Sequence, residues 1–160
     1  SGVGINNKGL TAFIVGQRVS YGASFQVSLA GLALGQTDDT NTGSVAAFAD
    51  FGTYFTSSTG LQWLTNTVTH QGNNAPYILN TLFTGTTNTN YLNGVASANY
   101  TITTNFLIDS LRVGCKYSNG PAYFFNGYVS EVIVYARALN AEERKSVETY
   151  LARKYAIKIS

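Results

Sequence analysis

Apolar and aromatic residues come in short runs broken by polar, glycine-containing stretches along most of the chain. Leu10 to Val19 (LTAFIVGQRV) is apolar at Ala12, Phe13, Ile14 and Val15, on both faces of a strand, which predicts a central strand covered on two sides. Ser24 to Leu34 (SFQVSLAGLAL) alternates at Phe25, Val27 and Leu29, then shifts phase at Leu32 and Leu34; a kink at Gly31 accounts for the shift. Residues 35–43 (GQTDDTNTG) form a polar loop. Ser44 to Thr56 and Leu61 to His70 read as two more strands, separated by Ser57-Ser58-Thr59-Gly60. Pro76 to Thr84 and Asn88 to Tyr100 form the middle of the fold. Within the second, Asn93-Gly94 is a two-residue hairpin signal that requires positive φ at both positions. Leu111 to Lys116 is a short amphipathic strand ended by the turn Ser118-Asn119-Gly120-Pro121. Ser1 to Gly9, rich in glycine and asparagine, is expected to be irregular.

The last third has the clearest pattern. Tyr123, Phe124, Phe125, Tyr128, Val129, Val132, Ile133, Val134 and Tyr135 predict a strand. Alternation puts Val132 and Val134 on one face and Val129 on the other. Either both faces are covered, or a bulge at Ser130–Glu131 resets the register, and the bulge is the favoured reading. A helix follows. Asn140 is its N-cap, with Glu143 three residues on to complete a capping box. Glu142 and Glu143 in the first turn and Arg153 and Lys154 in the last match the helix dipole. Val147, Leu151 and Tyr155 recur at helical spacing as one apolar stripe.

The segment Phe-Asn-Gly-Tyr-Val-Ser-Glu-Val-Ile-Val-Tyr-Ala-Arg-Ala-Leu-Asn-Ala-Glu-Glu-Arg (125–144), followed by Tyr-Leu-Ala-Arg-Lys-Tyr (150–155), resembles the closing part of laminin G-like jelly-roll domains. These belong to the concanavalin A-like lectin and glucanase superfamily, and the similarity is to bacterial and phage versions. Tyr-Leu-Asn-Gly-Val (91–95) and Leu-Arg-Val-Gly (111–114) resemble the family's shorter strands. The resemblance implies an all-β fold, a two-sheet antiparallel jelly-roll sandwich with one C-terminal α-helix, and no particular function. It also implies an N-terminal strand or two ahead of LTAFIV. Only nine residues precede Leu10, so residues 1–160 are expected to be one domain of a longer polypeptide, or one completed by a neighbour that covers the sheet edge.

Composition narrows the setting. At 160 residues the chain can bury a core without disulfides or metal staples. Charged residues are only 11% of it, well under the usual quarter, and Thr, Ser, Asn and Gly take their place. Such a neutral polar surface suits extracellular, cell-surface or virion proteins. A net charge of +2 with no basic run argues against a nucleic-acid partner, and no apolar run is long enough for membrane insertion. Half of the charged residues lie from Arg137 onward, which reads as a solvated helix face. Cys115, the sole cysteine, alternates with Leu111 and Val113 and reads as a buried inert thiol.

Hydrolases on this superfold use two carboxylates on one sheet face, commonly as Glu-x-Asp-x-x-Glu. The chain has no such motif; Glu131 is its only strand glutamate and reads as structural, so the chain is not expected to be an enzyme. His70, the single histidine, excludes a paired-histidine zinc site. Asp38, Asp39, Asn41 and the carbonyls around them offer the hard oxygen donors that calcium takes, and laminin G-like relatives often carry calcium. Sugar-binding surfaces set an aromatic ring beside amides. Tyr54, Trp63, Tyr77, Tyr117 and Tyr123 lie near loops, with Asn73, Asn74 and Asn119 beside them, and Tyr117 in the turn is the first choice.

Three readings follow, in this order. The first is a non-catalytic module that binds a glycan or cell-surface polysaccharide, or serves adhesion, through Tyr117, Asn119, Trp63, Asn73 and Asn74. The second is a structural component of an assembly such as a virion decoration, fibre or tail, contacting copies of itself or neighbouring subunits. The third, a glycoside hydrolase, is the weakest.

Overall fold

The computed structural model describes residues 5–6, 9–19, 32–35, 45–49, 52–57, 60–65, 74–97, 99–101, 107–108, 110–114, 116–117, 121–122 and 125–160, with side chains over 9–19, 74–97, 99, 101, 113–114 and 125–160. Its elements are β1 (Ile5–Asn6), β2 (Leu10–Arg18), β3 (Leu32–Gly35), β4 (Val45–Ala49), β5 (Gly52–Ser57), β6 (Gly60–Thr65), β7 (Pro76–Phe83), β8 (Thr87–Leu92), β9 (Val95–Ala96) and β10 (Tyr100–Thr101). They continue with β11 (Leu107–Ile108), β12 (Ser110–Val113), β13 (Lys116–Tyr117), β14 (Pro121–Ala122), β15 (Gly127–Tyr135) and α1 (Ala141–Tyr155).

Two sheets dominate. One runs β10-β8-β7-β2-β15, with β9 also paired to β8; the other runs β12-β3-β4-β5-β6. Every pairing is antiparallel, and the architecture is the expected all-β jelly-roll sandwich with its C-terminal helix. As its apolar pattern predicts, β2 is central and buried on both faces. On one face Ile14 stands between Val132 and Leu79, and Leu79 stands opposite Leu92. On the other, Phe13, Val15 and Ile78 pack with Leu139, Leu151, Ala152 and Ile157, so the helix closes the outer side of this sheet. Thr11 fastens the junction: its Oγ1 donates to the Arg137 carbonyl (2.9 Å) and accepts from the Leu139 amide (2.9 Å).

The bulge lies where the alternation places it. Register shifts between Val129 and Glu131, so Val129 pairs with Gly16 and shares a face with Val132 and Val134. Asn93 (φ 49°) and Gly94 (φ 86°) form the predicted hairpin turn. The Asn140 side chain accepts from the Glu143 amide (2.9 Å), and Glu143 accepts from the Asn140 amide (2.9 Å), completing the capping box.

Four expectations are corrected. Ser44 to Thr56 is two strands, β4 and β5, with Ala49 opposite Gly52; a two-residue connection interrupts what reads as one apolar run. Ser1 to Gly9 is not wholly irregular, because Ile5 and Asn6 pair with Ile108 and Leu107; the partner strand supplies what local propensity lacks. The final strand begins at Gly127 rather than Tyr123: the Phe125 amide donates to the Gly114 carbonyl (2.8 Å), which holds Phe125 in a connection. The helix face is not uniformly solvated, since Arg144 and Glu148 are buried against the sheet. The kink at Gly31, the first part of the 24–34 strand and Cys115 lie outside the described residues.

Candidate functional site

The residues singled out for sugar binding fall in different parts of the fold. Trp63 is in β6, the end strand of the five-stranded sheet in the described pairing, directly opposite Tyr54 in β5. Tyr117 is in β13, opposite Pro121. The side chains of Trp63, Tyr54 and Tyr117 lie outside the described residues, as do Asn73, Asn119, Tyr123, His70 and the calcium candidates Asp38, Asp39 and Asn41. Tyr77 is no platform: it is fully buried over Gly16, where an added Cβ would come within 2.9 Å of its hydroxyl oxygen.

Asn74 is described in full. Its backbone is left-handed (φ 65°), a conformation that asparagine tolerates better than most residues. The Asn74 amide donates to the Arg18 carbonyl (2.6 Å), and its own carbonyl accepts from Gln17 Nε2 (2.8 Å). The exposed side chain is thus carried on a backbone fixed to the end of β2. Across the sheet, Gln17 pairs with Tyr128, whose side chain is 64% exposed. An accessible aromatic therefore stands directly across from one amide side chain, Gln17, which is itself tied to the Asn74 backbone. The sequence names Asn74 but reads Tyr128 as one more strand aromatic; the bulge two residues on is what sets its face.

A second cluster joins β15 to the last two turns of α1. Lys154 Nζ donates to Tyr150 Oη (3.0 Å) and lies 3.0 Å from Glu131 Oε2, an ion pair without hydrogen-bond alignment. The ammonium is also 5.4 Å from the ring centroids of both Tyr150 and Tyr155. Tyr155 donates to the Ser130 carbonyl (3.3 Å), anchoring the helix on the bulge. Burial pushes the Glu131 carboxyl up, but the approach of Lys154 and of the Tyr155 and Tyr150 hydroxyls outweighs this and holds it below its ordinary value. Lys154 is raised in turn, first by Tyr150 and then by Glu131. The spacing of Tyr150 and Lys154 in Tyr-Leu-Ala-Arg-Lys-Tyr, one helical turn apart, is the sequence signal for this cluster.

The helix's remaining acids are engaged as well. Arg137 grips Glu143 with two 2.8 Å contacts; these, with the Asn140 amide, bring the Glu143 carboxyl down to about 2. Arg144 Nη1 lies 2.6 Å from Glu148 Oε2 under the helix. Burial pushes the Glu148 carboxyl up, and Arg144 offsets that only in part. Among the described residues no three His, Cys, Asp or Glu side chains come together to hold a metal ion, and no helix is long and apolar enough to cross a membrane.

No protein-family profile matches the sequence, and no curated protein matches it. Solved structures do match in fold. The CBM40 domain of Ruminococcus gnavus IT-sialidase, solved with α2,3-sialyllactose, superposes with a TM-score of 0.66 at 16% identity, covering 88% of this chain and 82% of that one. Domain 4 of AbnA, a GH43 extracellular arabinanase from Geobacillus stearothermophilus solved with arabinotriose, gives 0.66 at 15% identity, covering 89% and 67%. The NanB sialidase of Streptococcus pneumoniae gives 0.64 at 17% identity over 87% of this chain, which spans only 24% of that enzyme. At these identities the likeness is one of fold.

Proposed function

We propose that this chain is a non-catalytic glycan-binding module, of the laminin G-like type within the concanavalin A-like sandwiches, belonging to an extracellular, cell-surface or virion protein. The observation that carries the reading is Tyr128, largely exposed and directly across from Gln17, whose Nε2 reaches the Asn74 carbonyl, on a chain whose fold is that of sugar-bound modules. A ring stacks on the apolar face of a pyranose while neighbouring amides satisfy its hydroxyls, the usual division of labour in a ligand site. The loop candidates Tyr117, Asn119, Trp63 and Asn73 extend the proposed surface. Asp38, Asp39 and Asn41 supply the oxygen donors for calcium, whose part would be to order their loop.

The acids among the described residues favour binding over hydrolysis. A glycosidase needs a carboxyl raised for proton donation beside a second one kept ionised. Glu131 is held low by Lys154, and Glu148 is buried under the helix. A glycan array on the chain, with and without calcium, tests the proposal. Specific signals lost in Tyr128→Ala or Tyr117→Ala support it, and silence across the array in both conditions contradicts it.

The assembly reading rests on a separate observation. β15 ends the strand order of its sheet, so among the described residues only β2 pairs with it. A nine-residue edge that no described strand covers is a template for another strand. Light scattering distinguishes the two: concentration-dependent association with a silent array favours assembly, and a monomer at high concentration with array signals favours the glycan module.

A further inference from the structure

The outward face of α1 carries a shallow depression lined by Lys145, Ser146, Thr149, Tyr150, Arg153 and Lys154. We propose that it binds an acidic polysaccharide, one carrying a carboxylate on its sugars; this rests on the glycan-binding reading and assigns it a charge class. The ionic groups are unevenly balanced. Glu143 is taken by Arg137, Glu148 by Arg144 and Glu131 by Lys154. Lys145 and Arg153 are exposed and form no ion pair among the described residues, which leaves two cations in the depression. Of the helix's own acids, only Glu142, in the first turn, is without an ion-pair partner among the described residues.

Between the two cations stands Tyr150, 49% exposed, its hydroxyl held by Lys154. That hydrogen bond fixes the ring without covering it, which lowers the entropic cost of stacking a sugar on it. Arg153 lies eight positions along the helix from Lys145, about 12 Å along the axis. Spaced charges with a ring between them suit a chain bearing intermittent carboxylates. A duplex would need a denser array, because nucleic-acid affinity comes from neutralising many closely spaced phosphates.

The test uses affinity electrophoresis of the whole chain against polygalacturonate, neutral β-1,4-galactan and double-stranded DNA, beside the glycan array. The wild type is expected to be retarded by polygalacturonate. Lys145→Ser/Arg153→Ser should weaken this by about fivefold or more, as loss of two screened ion contacts allows, and leave any galactan binding unchanged. Tyr150→Ala should weaken it too, and Tyr150→Phe, which keeps the ring but loses the hydrogen bond that fixes it, should weaken it less; far-UV circular dichroism confirms that each variant is folded. Polygalacturonate binding undiminished in the folded Lys145→Ser/Arg153→Ser and Tyr150→Ala variants overturns the proposal, as does equal retardation by DNA. If polygalacturonate is not bound but the array shows neutral glycans, the helix site is wrong and the module reading stands. If array and gels are all silent, both fall.

Discussion

The guanidinium carbon of Arg144 lies 3.7 Å from the ring centroid of Tyr91, joining the buried side of α1 to β8. The same guanidinium holds Glu148 at 2.6 Å, so one cation is shared between a ring on the sheet and a carboxylate on the helix. Glu148 Oε1 is buried without a hydrogen-bond partner, so this carboxylate depends heavily on Arg144. Arg144→Ala should therefore destabilise the fold by about 3–5 kcal/mol, the cost of leaving a buried charge uncompensated, and Arg144→Met/Glu148→Leu should recover most of it. Urea unfolding of the two variants checks this. A single-variant loss under about 1 kcal/mol, near that of an exposed pair, would show that water reaches Glu148.

Leu151 is fully buried between α1 and the sheet, in contact with the cluster around Phe13 and Ile78. Leu151→Ala should cost roughly 2–5 kcal/mol through lost burial and the cavity left behind. A loss below about 0.5 kcal/mol, the range of surface substitutions, would mean that the helix is not docked in solution.

Two glutamates of α1, Glu143 and Glu148, should respond to pH with opposite signs. Glu143 is depressed from 4.5 to about 2, so its stabilisation is complete above the unfolded value and is lost as pH falls from there toward about 2. Glu148 is raised, so the folded state favours its neutral form, and a cost sets in as pH rises through the unfolded value toward the folded one. Glu143→Gln should flatten the acid side of a plot of unfolding midpoint against pH. Glu148→Gln should remove a decline above pH 4.5, whatever the overall level. Two variants that parallel the wild type would show that neither carboxyl differs between folded and unfolded chains.

Gly127 opens β15 where the strand presses on the end of β2. An added Cβ would clash with the Gln17 carbonyl oxygen and come within 2.7 Å of the Phe125 ring. Backbone cannot yield as a side chain does, so Gly127→Ala should destabilise by about 1–3 kcal/mol. It should also weaken any binding at Tyr128, which it would displace. A thermal midpoint unchanged from wild type would contradict the close approach.

Much of this fold is legible in residue order, and the places where it is not have physical causes. The bulge could be read because Val129 breaks phase with Val132 and Val134, and an out-of-phase valine on a half-buried strand needs a register change. The capping box could be read because Asn140 and Glu143 act over a single turn. The β4–β5 turn escaped because Ala49, Phe51 and Tyr54 continue an apolar run across it, and only Asp50 and Gly52 mark the reversal. Burial of Arg144 and Glu148 escaped because charge predicts solvent until the partner ring is known, and Tyr91 lies more than fifty residues away. The candidate site was legible as chemistry, aromatics beside amides, but not as position. What brings Tyr128 next to Gln17 is pairing between β2 and β15, more than a hundred residues apart in sequence.

That pairing also governs how the protein is made. β2 emerges from the ribosome well before β15, one of its two neighbours, with Thr11 matched to Tyr135. While the intervening residues are synthesised, one side of a largely apolar strand has no ladder to join, a state that favours capture by other chains. Closing so long a loop before any contact rewards it places the domain among the slow, non-local folders, with refolding on the order of milliseconds to seconds. The helix, with a strong cap and mostly local bonds, can form as soon as it is made, and it docks when β15 joins β2.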